Sequence, residues 1–377
     1  MADWTYLIAD LRTNITLDEL PLTGVQMSKV INGSGQFKGQ LVLGDPTLST
    51  RAVYDLTRPA RRVVYAVRDS RPWWGGIIWA STYDDETKTI DIVAADFWSY
   101  FDHRKVLEVL PAPPIATSYV AGLSKIYTAQ DQNVIARGLV TLAQSHTAGD
   151  IGIVVDGGVV SGIARDRTYN GFELVDVGEA LRNLANLSDG PDILFDVAGP
   201  GADGRPIRIM RTGTPALGQQ GSEHRFDLGG NLLSFTWDSG AGSMASRAFA
   251  EGNGNDRGTK IAVAEDTTWY ANGYPLLETD DVFSDVALDT TLNSRASDMT
   301  QGALPTVGIS LKLRTDMDPE VGDFSIGDDA LMVIPLGHEF FPAGYSLVVR
   351  ILSIDVSVSA ENQETCAVSC VPSQEVP

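Results

Sequence analysis

The sequence predicts a mainly β fold of two related β-barrel-like modules with α+β segments inserted between and within them. Three observations carry that expectation. First, Arg61 to Phe101 reads as three strands: Arg62 to Arg68, then Trp74 to Tyr83 after a Ser-Arg-Pro break, then Thr87 to Ala95 after the acidic turn Asp84-Asp85-Glu86. Period-two apolar runs rich in Val, Ile, Tyr and Trp, punctuated by turn residues, are the usual sign of antiparallel strands. Second, the same order returns in Ala330 to Val371: a strand (Leu331 to Pro335), a Pro/Gly loop, a long strand (Ser346 to Ser359), a polar turn and a last strand (Thr365 to Val371). Third, the texture between them switches to helical spacing after the proline run Pro111-Ala112-Pro113-Pro114, where missing backbone donors resist regular structure.

Taken in order, Trp4 to Leu11 alternates Trp4, Tyr6 and Ile8 against Thr5, Leu7 and Ala9, and a turn at Arg12-Thr13-Asn14 sends Ile15 to Leu20 back. Val25 to Asn32 and Gln36 to Leu43 form two strands around Gly33-Ser34-Gly35. Gly44 to Thr57 is less regular and has room for a short helix. Ala129 to Ser145 places Val134, Ile135, Gly138, Leu139, Leu142 and Ala143 on one helical face. Val177 to Ser188 is a second helix, with Val177, Leu181, Leu184 and Ala185 inward, Asp176 as its cap, and Gly190-Pro191 as its stop. Ile151 to Val155, Asp192 to Val197 and Ile207 to Arg211 complete a small α/β unit.

From Gly221 the chain is β-like again, with strands at Leu232 to Asp238, Ser246 to Glu251 and Ile261 to Ala264. A helix follows at Asp285 to Thr300, with Leu288, Leu292, Ala296 and Met299 on one side and Ser284 as its cap, and then a strand at Val307 to Arg314. The predicted organisation is a first module over residues 1–104, completed by 205–240, an inserted α/β subdomain over 105–204, and a second module over 241–377 with an insertion around 253–304.

A chain of 377 residues has room for two or three domains. With 43% hydrophobic and 20% charged residues it has the composition of a folded globular protein. No apolar run reaches the roughly 20 residues needed to span a bilayer, and acidic Asp3 and Asp10 flank the N-terminal apolar segment, so neither a membrane anchor nor a secretory leader is expected. The formal charge of −21 disfavours binding to a polyanion, which makes a nucleic-acid reader a poor reading. Cys366 and Cys370 lie in one predicted strand, roughly 13 Å apart, whereas a disulfide needs Cα atoms within about 7 Å. The pair is expected to stay reduced.

Enzymatic motifs are incomplete. His338-Glu339-Phe340-Phe341-Pro342 starts like a zinc-protease motif but has proline where the second histidine belongs. Gly254 to Lys260 has the wrong order for a phosphate loop, and Asn253, Asn255 and Gly258 lack the carboxylates of a calcium loop at Arg257 and Ala264. Gly33-Ser34-Gly35 joins two strands and opens no helix, so it is no dinucleotide fingerprint. His103, His146, His224 and His338 sit in unrelated contexts. Acidic pairs such as Asp280/Asp281 and the Trp73-Trp74 step leave a carbohydrate-active or carbohydrate-binding protein as an alternative, with the tryptophans as core or subunit contact on the plainer reading. No catalytic residue, metal or cofactor is expected.

The opening strand-turn-strand, the Asn32 to Gly35 turn, the Trp74 to Ile77 hairpin and the segment Phe97-Trp98-Ser99-Tyr100-Phe101 together resemble the N-terminal half of minor tail proteins of actinobacterial siphophages, the baseplate hub family of long-tailed phages. The match covers about the first hundred residues, and the rest by architecture. The resemblance implies a non-enzymatic virion protein at the tail tip: a homotrimer whose six modules form a pseudo-hexameric ring adapting the hexameric tail tube to a threefold tip. It implies as neighbours the distal tail protein, the tape measure protein and other minor tail proteins, and genome DNA passing without specific binding. Longer relatives append peptidase or receptor-binding domains, for which the residues after the second module leave no room. A distal tail or tube-type ring protein is the related alternative. On this reading the turns Asp84, Asp85, Glu86 and Asp328, Asp329 line the channel and repel DNA phosphates over about 8 to 10 Å, and Trp73, Trp74, Phe97 and Trp98 contact neighbouring subunits.

Overall fold

The computed structural model describes residues 2–44, 48, 52–158, 160–187, 189–213, 216–221, 224–254, 256–283, 289–302 and 306–373. The chain divides into two compact units, one of Met1–Phe235 with Ser310–Pro377, the other of Thr236–Ile309.

The first unit opens with β1 (Trp4–Asp10), β2 (Thr16–Glu19), β3 (Leu22–Val30) and β4 (Gln36–Val42), followed by a single helical turn, α1 (Val53–Leu56). The meander β5 (Arg62–Arg68), β6 (Arg71–Asp84) and β7 (Thr89–Asp96) then leads into the short α2 (Trp98–Phe101). These bounds fall within a few residues of those read from periodicity. The next segment holds β8 (Ser124–Asp131), α3 (Gln132–Gln144), β9 (Ile153–Val155), β10 (Ala164–Asn170), α4 (Val177–Ala185), β11 (Asp192–Ala198) and β12 (Ile207–Gly213). After β13 (His224–Asp227), β14 (Leu232–Gly240) leads into the second unit.

That unit contains β15 (Arg247–Glu251), β16 (Ile261–Glu265), α5 (Thr268–Ala271), β17 (Glu278–Val282) and α6 (Asp289–Gly302). Its sheet runs β16-β15-β17, and α6 buries Leu292 and Ala296 against Ala250 and Ala262. The expected cap Ser284 and core residue Leu288 lie outside the described residues. Then β18 (Thr306–Leu313) leads back to the first unit and its closing meander, β19 (Asp329–Ile334), β20 (Tyr345–Val358) and β21 (Glu364–Pro372).

A 13-stranded sheet, ordered β14-β18-β21-β20-β3-β4-β7-β6-β5-β1-β2 with β13 and β19 attached to the side of β20, dominates the fold. Its path is open among the described residues, with β14 and β2 at the two ends. The barrel-like closure expected from sequence is therefore corrected to an open sheet. The two halves of the chain are joined within it: β20 pairs antiparallel with β3, from Ser353↔Val30 to Val358↔Val25. At the same junction Trp4 Nε1 donates to Glu364 at 2.7 Å and Arg68 Nε at 3.0 Å, with the Glu364 side chain only 3% exposed.

The two meanders match in build. β6 and β20 are each 14 residues long. Each pairs its first half with the preceding strand and its later part with the following one, and each carries a bulge against that following strand, at Ile78/Ala80 and at Ile351/Ser353.

The segment after α2 covers one face of the first meander. Its three-stranded sheet β11-β12-β9 and helices α3 and α4 share a core with Val63, Tyr65, Val67 and Ile77, through Phe195, Ile135, Leu139, Leu181 and Met210. This cover explains why β5 is apolar at nearly every position: a strand buried on both faces cannot alternate. Buried Arg208 bolts the layers together, donating to Tyr65 Oη at 2.6 Å, to the carbonyls of Leu11 and Ile151 at 2.5 Å, and to Asn14 Oδ1 at 2.9 Å. Helix α3 starts later than the periodicity suggests, because Asp131 ends β8 and caps the helix through the N–H groups of Asn133 and Val134. At α4 the predicted cap is corrected: the Asp176 carboxylate makes no capping bond and instead pairs with Lys105 at 2.8 Å.

Candidate assembly surfaces

Each sequence-predicted site residue has a defined place. Trp73, Trp74, Phe97 and Trp98 are 7%, 2%, 0% and 0% exposed. Trp74 donates its indole N–H to the Ser28 carbonyl at 2.8 Å and stacks on Phe37 at 5.2 Å. Trp73 meets Trp4 edge-on at 5.8 Å, with the Lys29 ammonium 4.9 Å over its ring. Phe97 lies under the Arg208 guanidinium at 5.2 Å, and Trp98 packs edge-on against Phe195. Burial of each such ring stabilises the chain's own fold by ~1.5–3 kcal/mol. The expectation that these four reach neighbouring subunits is corrected: they are core, and neither can the two tryptophans form a sugar-stacking platform.

Asp328 and Asp329 are buried too, at 7% and 6% exposure. Asp328 accepts from the N–H groups of Gln219 and Ser325, both at 2.7 Å, with His224 Nε2 at 3.3 Å. Asp329 accepts from Gly221 N–H at 3.0 Å and Ser373 Oγ at 2.8 Å. Buried carboxylates satisfied by inward donors are fasteners, so the expectation that they face a channel is corrected. Asp84, Asp85 and Glu86 do form an exposed turn. Asp84 Oδ1 accepts from the N–H groups of Glu86 and Thr87, and Asp85 accepts from Lys88 and Tyr83, each at 2.6 Å. The Thr87 and Glu86 N–H bonds hold Asp84, and the Lys88 and Tyr83 bonds hold Asp85, below the usual carboxylate range. This turn carries fixed negative charge at neutral pH.

Asp96 was not singled out by sequence, yet it ties the two most distinctive N-terminal motifs together. Its carboxylate accepts from Gly35 N–H at 2.6 Å, Ser34 Oγ at 3.0 Å and Trp98 N–H at 2.9 Å. The hairpin turn can approach because Gly35 has no Cβ; one there would sit 2.1 Å from the Ser28 carbonyl oxygen. Burial pushes the Asp96 carboxyl up to about 7, against the three hydrogen bonds that pull it down.

The residues of the incomplete motifs do not converge. His338 Nδ1 accepts from the N–H groups of Phe340 and Phe341 inside its own loop. Asp256–Gly258 is one 3₁₀ turn, Lys260 pairs with Asp289, and Asn255 lies outside the described residues. Cys366 and Cys370 are free and buried; burial and the nearby Glu364 and Asp355 carboxylates push Cys366 up to about 12, and burial raises Cys370 as well. Such thiols carry no thiolate at neutral pH. Among the described residues no group of three His, Cys, Asp or Glu side chains is placed to hold a metal, and no helix is long and apolar enough to cross a membrane.

Exposed apolar side chains are spread over the surface, at Tyr54, Val160 and Phe172 among others, and some lie at the two ends of the large sheet. At one end, the β19–β20 loop shows Leu336 (81% exposed) and Phe340 (63%), and Leu233 of β14 is 60% exposed. This loop is braced against the edge strand, with the Phe235 ring 5.4 Å from His338 and 6.3 Å from Phe341, and Phe341 stacked on Tyr345 at 4.6 Å. At the other end, Ile15 (45%) and Leu17 (44%) are exposed at and beside β2. The signal for the loop was present in Leu336-Gly337-His338-Glu339-Phe340-Phe341, where apolar residues stand in a Pro/Gly connection that no strand claims.

Three solved tail proteins follow this chain almost from end to end. A 43 kDa tail protein of prophage MuSo2 from Shewanella oneidensis superposes with a TM-score of 0.63 at 12% identity, over 98% of each chain. The fold is that of a prophage tail protein. A tail protein from Neisseria meningitidis gives a TM-score of 0.56 at 9% identity over 97% of this chain and 96% of its own, and prophage tail protein gp18 from Listeria monocytogenes gives 0.54 at 12% over 99% and 95%. No family model and no curated protein matches the sequence. The tail-protein fold is thus kept here at identities where only architecture is shared, which agrees with a core held by strand length and stagger.

Proposed function

We propose that this chain is a non-enzymatic structural protein of a phage-type tail, acting at the tail tip as a hub. Three copies supply six meander modules, which meet the sixfold tail tube on one side and a threefold tip on the other. The neighbours are the distal tail protein, the tape measure protein and other minor tail proteins. The genome passes through the centre without specific binding, past the exposed turn Asp84 to Glu86 of the first module. Assembly takes place in the host cytoplasm and the mature location is the virion.

The observation that supports this reading best is the pair of matched meanders inside one chain whose whole length superposes on prophage tail proteins. A threefold body built from such chains carries six similar modules, which is what a sixfold neighbour requires. Electron microscopy of particles carrying the tagged protein tests the reading. Three copies at the tube's distal end are expected, and six copies in a ring, or none in the tail, would sink it.

A further inference from the structure

The three-stranded sheet of the second unit is covered on one face by α6, whose Leu292 and Ala296 pack on Ala250 and Ala262. Alternation along the strands sends the intervening residues to the opposite face. At one end of that face Arg247 ties the three strands together, pairing with Glu265 at 3.1 Å and Glu278 at 3.0 Å. Beyond it the register sets Phe249 between Val263 and Asp280, and then Glu251 between Ile261 and Val282. Ile261, Val263 and Val282 are 58%, 52% and 58% exposed. Branched apolar side chains suit a strand that is covered, and strands paired in parallel, as β15 and β17 are, ordinarily lie between two covering layers. Here the second layer is missing from the chain's described residues.

We propose that this face is the docking site for a basic amphipathic helix of a partner protein, its apolar stripe on Ile261, Val263, Phe249 and Val282 and its flanking Lys or Arg side chains on Glu251 and Asp280. Charge selects the occupant. Four carboxylates share the face with one guanidinium, and Arg247 is already held between two of them. Glu251 and Asp280 carry no ion pair among the described residues, and Lys260, beside Ile261, pairs with Asp289 of α6. Cations around an apolar stripe would therefore meet complementary charge at the rim of the patch. A second copy would bring the same excess of carboxylates in a chain of net charge −21, and a nucleic acid or an anionic lipid surface would be repelled. Size agrees as well: three five-residue strands cover roughly 10 Å by about 16 Å, the footprint of a helix of about three turns. The contact uses the second unit alone and does not depend on how many copies stand at the tip.

Fluorescence anisotropy of the full chain with a labelled peptide tests this. The probe is a peptide of leucine and lysine only, about 14 residues long, with its leucines at helical spacing. It is expected to bind, and the same residues in scrambled order to bind at least about tenfold more weakly. Ile261→Thr/Val263→Thr should weaken binding about tenfold, since the strand-forming branch stays while the apolar cover goes. Glu251→Gln/Asp280→Asn should weaken it about fivefold at low salt, and needs no repacking should the threonines disturb the sheet. Asp84→Asn/Asp85→Asn removes equal charge from the exposed turn of the first unit and should leave binding unchanged. No binding, equal binding of the scrambled peptide, or equal loss in the Asp84/Asp85 variant would overturn the proposal. So would self-association of the unmodified chain that Ile261→Thr/Val263→Thr abolishes, because a second copy would then cover the face.

Discussion

The meander β5–β6–β7 and the meander β19–β20–β21 share a frame and almost nothing else. Middle strands of equal length, equal stagger and a bulge against the third strand recur in both. In the first, β5 and the first half of β6 are buried on both faces, because the α/β segment lies on them, and they are apolar at most positions. The second alternates buried with partly exposed positions from Val349 to Val358 of β20, as a sheet covered on one face does. Poor residue identity between the halves follows from this difference in cover. What is repeated is strand length and stagger, while the residue at each position answers to what lies above it.

The largest expected effect comes from removing the bolt under the first meander. Arg208→Met leaves the Leu11 and Ile151 carbonyls and the Tyr65 hydroxyl without their donor, and should cost on the order of 3–5 kcal/mol in urea unfolding. Hydrogen exchange should show β5–β7 losing protection ahead of β19–β21; equal loss in both would mean that the cover does not distinguish them. Gly76→Ala should follow at about 1–3 kcal/mol, because the new Cβ would lie 2.3 Å from the Ala95 carbonyl oxygen of the paired strand, and backbone does not yield cheaply. Glu364→Gln tests the junction between the meanders. It weakens the acceptor shared by Arg68 and Trp4, and a loss of roughly 1–2 kcal/mol is expected by thermal unfolding.

Asp96 gives the first meander a pH axis. Its folded-state carboxyl lies near 7, above the unfolded value of about 4. The folded state therefore holds the extra proton, and the contribution of Asp96 to stability is full below about pH 4 and is lost as pH rises through 7. Asp96→Asn should flatten the stability profile between those values, and an unchanged slope would rule the carboxyl out as its source. The smallest effect on folding is expected from Asp84→Asn/Asp85→Asn/Glu86→Gln, whose side chains are exposed. On the proposed hub reading, assembly should proceed while DNA ejection slows, and unchanged ejection kinetics would count against a channel-lining role for this turn.

Much of the strand pattern was legible because apolar residues alternate in β1 and along β20 and run almost unbroken through β5. The β8–β10 ribbon was missed because its outward positions, such as Thr128, Asp166 and Thr168, blur any apolar stripe. β17 reads Glu-Thr-Asp-Asp-Val, and its strand character comes from parallel pairing with β15. Local sequence also misjudged Asp328 and Asp329. An acidic pair after a glycine looks like a solvated turn, but apart from the nearby Ser325 its donors come from residues 219, 221 and 373, far along the chain. The same limit hid Asp96, whose partners at Ser34 and Gly35 are distant in sequence, and Phe97 and Trp98, whose covering layer arrives only with β11.

The β3–β20 seam has a consequence for how the molecule is made. Trp4 and Glu364, 360 positions apart, hold the same joint, so the nascent chain must carry an unpaired β3 edge on the ribosome until nearly its last strand emerges. Non-local pairing of this kind is slow and leaves intermediates prone to sticking. That edge therefore needs guarding during translation, a task that suits a chaperone.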